Sequence, residues 1–217
     1  MLAPAESPPF RRKPFIVGIG GTTRENSSSE RAMRLALQAA EVCGAETLVI
    51  PAYELGLPVY IPDQSERTPQ AARLIEAIRQ SDGIIIASPG YHGCLSGLLK
   101  NALDYIEDLR DDPRTYFQGR AVGCIATSSG WQAAVSTLHA LRTIVHSLRG
   151  WPTPLGVAIN TSETTFGIDG TCSSDGVQAK LQGMTQEVID FAQARIAVAA
   201  SRSVHRDQRS ADTSDEV

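Results

Sequence analysis

The stretch Gly83-Ile84-Ile85-Ile86-Ala87-Ser88-Pro89-Gly90 decides the fold, because the unbroken apolar run Gly83–Ala87 is followed by a serine, a proline and a glycine. Such a run, without alternating polar residues, is typical of a strand that is buried on both faces, as in a parallel sheet. Four more runs of this kind are Phe15–Gly20, Glu46–Ile50, Ala121–Thr127 and Leu155–Ile159. The sequence therefore predicts five parallel strands.

Between these strands, apolar residues recur at intervals of three and four, the spacing of a helix with one buried face. The signal is clearest where Thr68 can cap a helix and Pro69 occupies its first position. The five predicted helices contain the stripes Ala32–Val42, Ala71–Ile78, Leu95–Leu109, Ala134–Leu148 and Val177–Phe191. Alternation of strands and helices predicts an α/β doubly wound sheet with helices on both faces.

The length of 217 residues predicts one domain, which we place at residues 14–200. The Pro-rich residues 1–13 and the polar residues 201–217 are predicted to be disordered. The segment Pro51–Arg67 contains three prolines and no helical stripe. It is either a long connection or a surface for a partner, and the sequence leaves both interpretations open.

The composition excludes several classes of protein. A net charge of −4 argues against a nucleic-acid-binding protein, which needs a basic surplus. The longest uncharged stretch, Ala121–Leu141, contains too many polar residues to span a membrane. The four cysteines stand alone rather than in metal-binding pairs, which indicates reduced thiols and a cytoplasmic protein.

The loop after the first strand, Gly20–Ser29, combines two glycines with five hydroxyl side chains and Arg24. Because it leads into a helix N-terminus, it is suited to bind an anion such as a terminal phosphate monoester. The alternative is a solvated helix cap, for which Ser27–Ser29 offer the side chains. A Walker A loop is excluded because no Gly-Lys pair occurs, and a dinucleotide fingerprint fails at Thr23, where it needs glycine.

Two other loops follow predicted strands. Ser88–Gly97 is a turn whose backbone amides could hold a flat polar ring, or an ordinary turn with Ser96 as a cap. Thr127–Trp131 places an aromatic side chain at a helix start, where it could contact a ligand, lie at a subunit interface or simply pack. No nucleophile elbow or paired carboxylates occur, and His139 and His146 lack a third metal ligand, so we predict neither a catalytic side chain nor a metal site.

The second loop and the helix after it resemble a known family. Ser88-Pro89-Gly90-Tyr91-His92-Gly93, followed by Ser96–Asp104, is similar to the signature of NAD(P)H-dependent FMN reductases. Gly21–Arg24 with Ser27 resembles the phosphate loop of the same family, and the likeness extends over about residues 14–195. It implies a flavodoxin-like fold, a five-stranded parallel sheet in the order 2-1-3-4-5.

The resemblance also implies a flavin site. The residues that would hold the FMN phosphate are Thr22, Arg24, Ser27, Ser28 and Ser29. Those that would hold the isoalloxazine ring are Pro89, Gly90, Tyr91, His92 and Gly93 on one side, and Ser128, Ser129 and Gly130 on the other edge. Gly90 departs from the family, in which glutamate is frequent at this position.

The function that the resemblance implies is hydride transfer from NADPH or NADH to FMN, which could supply a flavin-dependent monooxygenase. One alternative is an FMN-containing reductase of quinones, azo dyes or metal oxyanions. Another is a flavodoxin-type electron carrier, although such carriers are more acidic than a net charge of −4. We expect a homodimer or homotetramer and no nucleic-acid or membrane partner.

Overall fold

The computed structural model describes residues 12–24, 26–64 and 66–212. The strands are β1 (Phe15–Gly20), β2 (Glu46–Ile50), β3 (Gly83–Tyr91), β4 (Cys94–Leu95), β5 (Ala121–Ser128), β6 (Trp151–Pro152) and β7 (Val157–Asn160). The helices are α1 (Ser28–Val42), α2 (Pro69–Gln80), α3 (Gly97–Asp104), α4 (Trp131–Ser147) and α5 (Asp175–Asp212). Short 3₁₀ helices cover Ala52–Leu55 and Tyr105–Leu109.

The main sheet is parallel, in the order β2-β1-β3-β5, and the free edge of β5 is shared by two short strands. β6 pairs with the start of β5 and β7 pairs with its end. Together they occupy the place of the fifth predicted strand, so the predicted order 2-1-3-4-5 is confirmed. The interruption contains Pro154, which has no N–H to donate, and Leu155, whose N–H donates to the Glu187 carboxylate at 2.9 Å.

The two faces of the sheet are covered by different helices. In β3, Ile84 and Ile86 belong to a core formed with α2, α3 and α4, whereas Ile85 belongs to a core formed with α1 and α5. All three side chains are fully buried. Because successive strand residues face opposite sides, burial on both faces requires the unbroken apolar run with which the chain builds β3.

Three side-chain caps begin the helices where the sequence predicts them. The hydroxyls of Ser27, Thr68 and Ser96 accept hydrogen bonds from backbone N–H groups in the first turns of α1, α2 and α3. The predicted third helix is divided, because α3 ends at Asp104 and the chain continues as the 3₁₀ helix Tyr105–Leu109.

The segment 51–67 folds back onto the core as a connection. The Tyr60 hydroxyl donates to Asp108, and the Arg67 guanidinium donates to both oxygens of the same carboxylate, at 2.7 and 2.9 Å. Tyr53 and Val59 remain 76% and 80% exposed. The segment is therefore anchored by these polar contacts and by the fully buried Leu55, and none of these contacts tests its use as a partner surface.

The ends of the domain differ in part from the expectation. Residues 1–11 lie outside the described residues, whereas Arg12, predicted to be disordered, donates two hydrogen bonds to the Asp82 carboxylate. α5 continues past the predicted boundary at residue 200 as far as Asp212. Residues 213–217 lie outside the described part. None of the described helices combines the length and the apolar character needed to cross a membrane.

Candidate functional site

A cleft of about 550 Å³ lies beyond the carboxyl ends of β1, β3 and β5, where ligands bind in open α/β sheets. Its walls are the loop after β1, the end of β3, the end of β5 and the segment after β7. The lining residues are Thr22, Arg24, Asn26, Ser27, Ser28, Ser29, Arg31, Pro89, Gly90, Tyr91, Thr127, Ser128, Ser129, Thr161, Thr164, Thr165 and Phe166. The fold thus brings all three predicted loops to one place.

The loop after β1 is shaped by Gly20 and Gly21, whose φ angles are +148° and +103°. A Cβ atom at Gly20 would lie 2.0 Å from the carbonyl oxygen of Ala87, so only glycine permits this approach of β1 to β3. Beyond it, the buried hydroxyls of Ser27 and Ser29 lie 3.2 Å apart at the start of α1. The loop therefore presents hydroxyls and a helix N-terminus to the cleft in a fixed arrangement.

The second predicted loop is a β-hairpin. β3 continues to Tyr91, pairs with β4 and turns through His92 and Gly93, whose φ angles are +52° and +82°. A two-residue hairpin turn of type I′ requires positive φ at both central positions. Pro89, Gly90 and Tyr91 line the cleft, whereas His92 and Gly93 are exposed in the turn and do not line it.

Gly90 is in close contact with α4. A Cβ atom at this position would lie 2.7 Å from Thr137 Oγ1 and 3.1 Å from the carbonyl oxygen of Ala133. Thr137 is fully buried and its hydroxyl donates to the carbonyl oxygen of Cys94 at 3.3 Å. The departure from glutamate at Gly90 therefore has a packing reason, since α4 lies against the backbone there.

The third loop continues the same wall. Ser128 and Ser129 line the cleft, whereas Gly130 forms the N-cap of α4 and does not line it. Trp131, half exposed, donates from Nε1 to Glu163 at 2.9 Å. This bond ties the start of α4 to the segment after β7 and limits where the indole ring can lie.

Arg31 and the segment after β7 also line the cleft, although the sequence predicts neither. The lining residues of that segment are Thr161, Thr164, Thr165 and Phe166. Arg31 Nη1 donates to the carbonyl oxygen of Phe166, which joins α1 to this segment. The hydroxyl-rich run Thr161-Ser162-Glu163-Thr164-Thr165 directly after the last strand was a signal that could have indicated the segment. No local signal identified Arg31, because its contact is 135 residues away.

The chemistry of the lining suits an anion. Its described residues include two guanidinium groups, on Arg24 and Arg31, many hydroxyls and no carboxylate. Arg31 Nε is a buried nitrogen without a hydrogen-bond partner among the described atoms. This set of donors fits a phosphate monoester carried on a polar chain, as in FMN.

The titratable groups elsewhere do not suggest another reactive centre. Burial raises the pKa of the Cys124 thiol to about 12, which keeps it protonated and unreactive near neutral pH. Among the described residues, no cluster of three or more histidine, cysteine, aspartate or glutamate side chains could hold a metal ion.

Comparison with known structures identifies the fold. FerB, a flavoenzyme NAD(P)H:(acceptor) oxidoreductase from Paracoccus denitrificans, superimposes with a TM-score of 0.64 at 20% identity, over 84% of this chain and 98% of that one. A flavodoxin, WrbA-like protein from Agrobacterium tumefaciens gives a TM-score of 0.59 at 17% identity, over 85% and 99%. The predicted flavodoxin-like fold is confirmed.

Comparison of sequences identifies the family. The FMN-dependent NADPH-azoreductase of Staphylococcus haemolyticus (strain JCSC1435) is 33% identical over 118 residues, which are 54% of this chain and 59% of that protein. That of Staphylococcus aureus (strain USA300) is 33% identical over 120 residues, 54% and 60%. The chain thus spans about three fifths of the length of the curated relatives that it matches. The model of NADPH-dependent FMN reductases matches residues 14–164, more than half of the chain, and the chain therefore belongs to that family.

Proposed function

We propose that the protein is an NAD(P)H-dependent FMN reductase, which transfers a hydride from NADPH or NADH to FMN. The observation that carries this proposal is the cleft, where the described lining offers two guanidinium groups and many hydroxyls without a carboxylate. Membership of the FMN reductase family supports the same ligand.

The residues of the cleft suggest how FMN would be held. Thr22, Arg24 and Ser27–Ser29 would bind the phosphate at the N-terminus of α1, where the helix dipole also favours negative charge. Pro89–Tyr91 and Ser128–Ser129 would enclose the ring system. His92, Gly93 and Gly130 would act indirectly, by forming the hairpin turn and the start of α4.

The proposal needs no catalytic acid or base from the chain. FMN, when bound, supplies the hydride acceptor, and the protein supplies binding and orientation. The described lining contains neither histidine nor carboxylate. The glycine turn after β1 would fix the residues that bind the phosphate, and the hairpin would fix those that enclose the ring.

The proposal also covers the second substrate, which would accept electrons from reduced FMN. The staphylococcal relatives are FMN-dependent NADPH-azoreductases, which favours an azo compound as a second substrate. Quinones and metal oxyanions are further acceptors of the same class. The alternative role is delivery of reduced FMN to a flavin-dependent monooxygenase, which requires FMN to exchange rather than to stay bound.

We also propose a homodimer or homotetramer, in the cytoplasm. α4 carries Trp131 and Val135, which are 49% and 41% exposed, on a helix with no acidic residue. Partly exposed apolar side chains beside a ligand cleft are typical of an interface. Light scattering should then give a mass of at least twice the 23.3 kDa of the chain.

The proposal is tested by titration and kinetics on the purified chain. We expect FMN to bind more tightly than riboflavin, and NADPH to be oxidised when FMN, an azo dye or a quinone is added. Tight FMN binding without direct reduction by NADPH or NADH would favour the flavodoxin-type carrier. Equal affinity for FMN and riboflavin would contradict the phosphate site.

A further inference from the structure

The lining of the cleft carries more positive charge than the predicted phosphate-binding residues do. Arg24 is the single cation among those predicted residues. Arg31 is a second guanidinium in the lining. Within the described part of the chain, neither arginine forms an ion pair. A phosphate monoester carries a charge of about −1.5 to −2 near neutral pH, which two guanidinium groups balance and one does not.

The acidic groups near this wall have other partners. Glu30, next to Arg31 on α1, accepts two hydrogen bonds from Arg34, at 3.0 and 2.7 Å. Glu163 accepts from Trp131 Nε1 at 2.9 Å and from Asn160 Nδ2 at 2.6 Å. The positive charge of Arg31 therefore has no carboxylate of its own among the described residues.

The hydrogen bonding of Arg31 is also incomplete. Nη1 donates to the carbonyl oxygen of Phe166, and Nε is buried without a partner. It is the one buried side-chain nitrogen or oxygen in this condition among the described residues. Buried polar groups in folded proteins are almost always paired, so an exception calls for a partner such as a ligand, an ion or a water molecule.

Arg31 differs from Arg24 in how it is held. Arg24 is exposed on the loop before α1, whereas Arg31 lies in the first turn of the helix and is fixed by its bond to Phe166. A side chain that is already ordered loses less entropy when it binds a ligand. Because Arg31 lies on α1 and binds the segment after β7, its guanidinium would contact the anion from a different wall of the cleft than Arg24 does.

We infer that Arg31 is a specificity-determining residue, which together with Arg24 neutralises the 5′-phosphate and makes the cleft select FMN over riboflavin. This inference rests on the proposed function. It adds a charge to the phosphate site that the family motif in this sequence does not contain.

The test is flavin titration of Arg31→Met, followed by flavin fluorescence. Loss of a charge-assisted hydrogen bond should weaken FMN binding about 10- to 150-fold and leave riboflavin binding unchanged. Arg31→Lys should restore part of the preference for FMN. Arg73→Met is the matched control, because Arg73 is an ion-paired arginine on α2, and neither it nor its partner Glu54 lines the cleft.

FMN titrations at several pH values add a second test, because a purely structural role of Arg31 would not alter the pH dependence of FMN affinity. The second ionisation of a phosphate monoester lies near pH 6, so wild-type affinity for FMN should rise between about pH 5.5 and 7.5. The rise should be smaller in Arg31→Met, which has lost one of the charges that sense the dianion. Riboflavin binding should not depend on pH in this range.

The outcomes separate this inference from the proposed function. If the wild type does not bind FMN, the proposed function fails. If it prefers FMN and Arg31→Met keeps the same ratio of FMN to riboflavin affinity, only the role of Arg31 is overturned. An equal loss for both flavins would also overturn it, by showing a structural role. Should Arg31→Met not fold, Arg31→Gln, which keeps a donor for the Phe166 carbonyl, carries the same expectation.

Discussion

Asn101 Oδ1 accepts a hydrogen bond from the backbone N–H of Tyr60 at 2.9 Å, across 41 residues of sequence. Asn101 Nδ2 donates to the carbonyl oxygens of Pro58 and Leu57, at 2.8 and 3.2 Å. One side-chain amide therefore binds the backbone of three residues of the long connection, Leu57, Pro58 and Tyr60. The asparagine of the motif Lys100-Asn101-Ala102-Leu103-Asp104 has a structural role, which does not depend on a ligand.

Replacing Asn101 with alanine should release the connection. Loss of these partly buried hydrogen bonds should lower the free energy of unfolding by about 1–3 kcal/mol. Urea denaturation measures the change, and limited trypsin digestion should show faster cleavage at Arg67. Lys100→Ala is the control, since Lys100 is exposed and pairs only with Asp104. Identical cleavage rates in both variants would contradict the role of Asn101.

The pKa of Asp108 predicts a pH dependence of stability. Hydrogen bonds from Arg67 lower it below its ordinary value of 3.8, burial opposes this, and Tyr60 adds to the lowering. The folded state therefore binds this proton less readily than the unfolded state does. The stabilisation is complete above pH 3.8 and is lost as pH falls through the lowered pKa.

Asp108→Asn should remove that contribution, about 1–2 kcal/mol at neutral pH, and should make the unfolding free energy less steep in acid. Asp111→Asn, at an exposed neighbouring carboxylate, is the control. Parallel curves for Asp108→Asn and wild type between neutral pH and pH 3 would show that the Arg67–Asp108 pair contributes nothing.

Gly90→Ala should destabilise the protein by about 1–3 kcal/mol, because the added methyl group would press α4 away from the hairpin. Thermal and urea unfolding measure the effect. Gly97→Ala is a matched control at the start of α3, where an added Cβ meets no atom within 4 Å. If Gly90→Ala were as stable as Gly97→Ala, the tight contact with Thr137 would not exist in solution.

Arg24→Ala should weaken FMN binding by about 1.5–3 kcal/mol, or roughly 10- to 150-fold, while the fold stays intact. The physical reason is loss of one charge-assisted contact to the phosphate. Riboflavin titration and circular dichroism are the controls. An unchanged dissociation constant for FMN would mean that Arg24 does not contact the phosphate.

Removal of Ser203–Val217 should leave the melting temperature and flavin binding unchanged. Over the part of α5 whose side chains are described, up to Arg202, the last fully buried residue is Ala192, and Val198 to Arg202 are exposed. A deletion that begins at Phe191 is the contrasting variant and should destabilise the domain. A large loss of stability on the shorter deletion would show that this end of α5 packs against another part of the assembly.

Local signals predicted most of the fold. The runs at Phe15–Gly20 and Gly83–Ala87 and the caps at Ser27, Thr68 and Ser96 lie where expected, because each depends on neighbouring residues. The division of the fifth strand into β6 and β7 was missed. Its cause is Pro154 at one end of the break and the bond from Leu155 to Glu187, and that contact is long-range.

The residues of the candidate site also fall into two groups, those that local signals predict and those that only long-range contacts place. The loops at Thr22–Ser29, Pro89–Tyr91 and Ser128–Ser129 could be predicted to converge, since parallel strands end at one edge of a sheet. Arg31 and Thr161–Phe166 could not, because only packing of α1 against the last segment places them in the cleft. The sequence predicts a turn at His92 and Gly93 but not that these two residues lie outside the cleft. They lie outside it because β3 continues as far as Tyr91 before the chain turns.

The broken strand at the β5 side of the sheet has a consequence for aggregation. An outer strand with a continuous row of free N–H and C=O groups is a template for addition of strands from other molecules. Here the row is interrupted between β6 and β7, and Pro152 and Pro154 offer no N–H to an incoming chain. Addition of a strand from another copy of the chain is thus discouraged at this side of the sheet, whereas β2 at the opposite side is an unbroken outer strand.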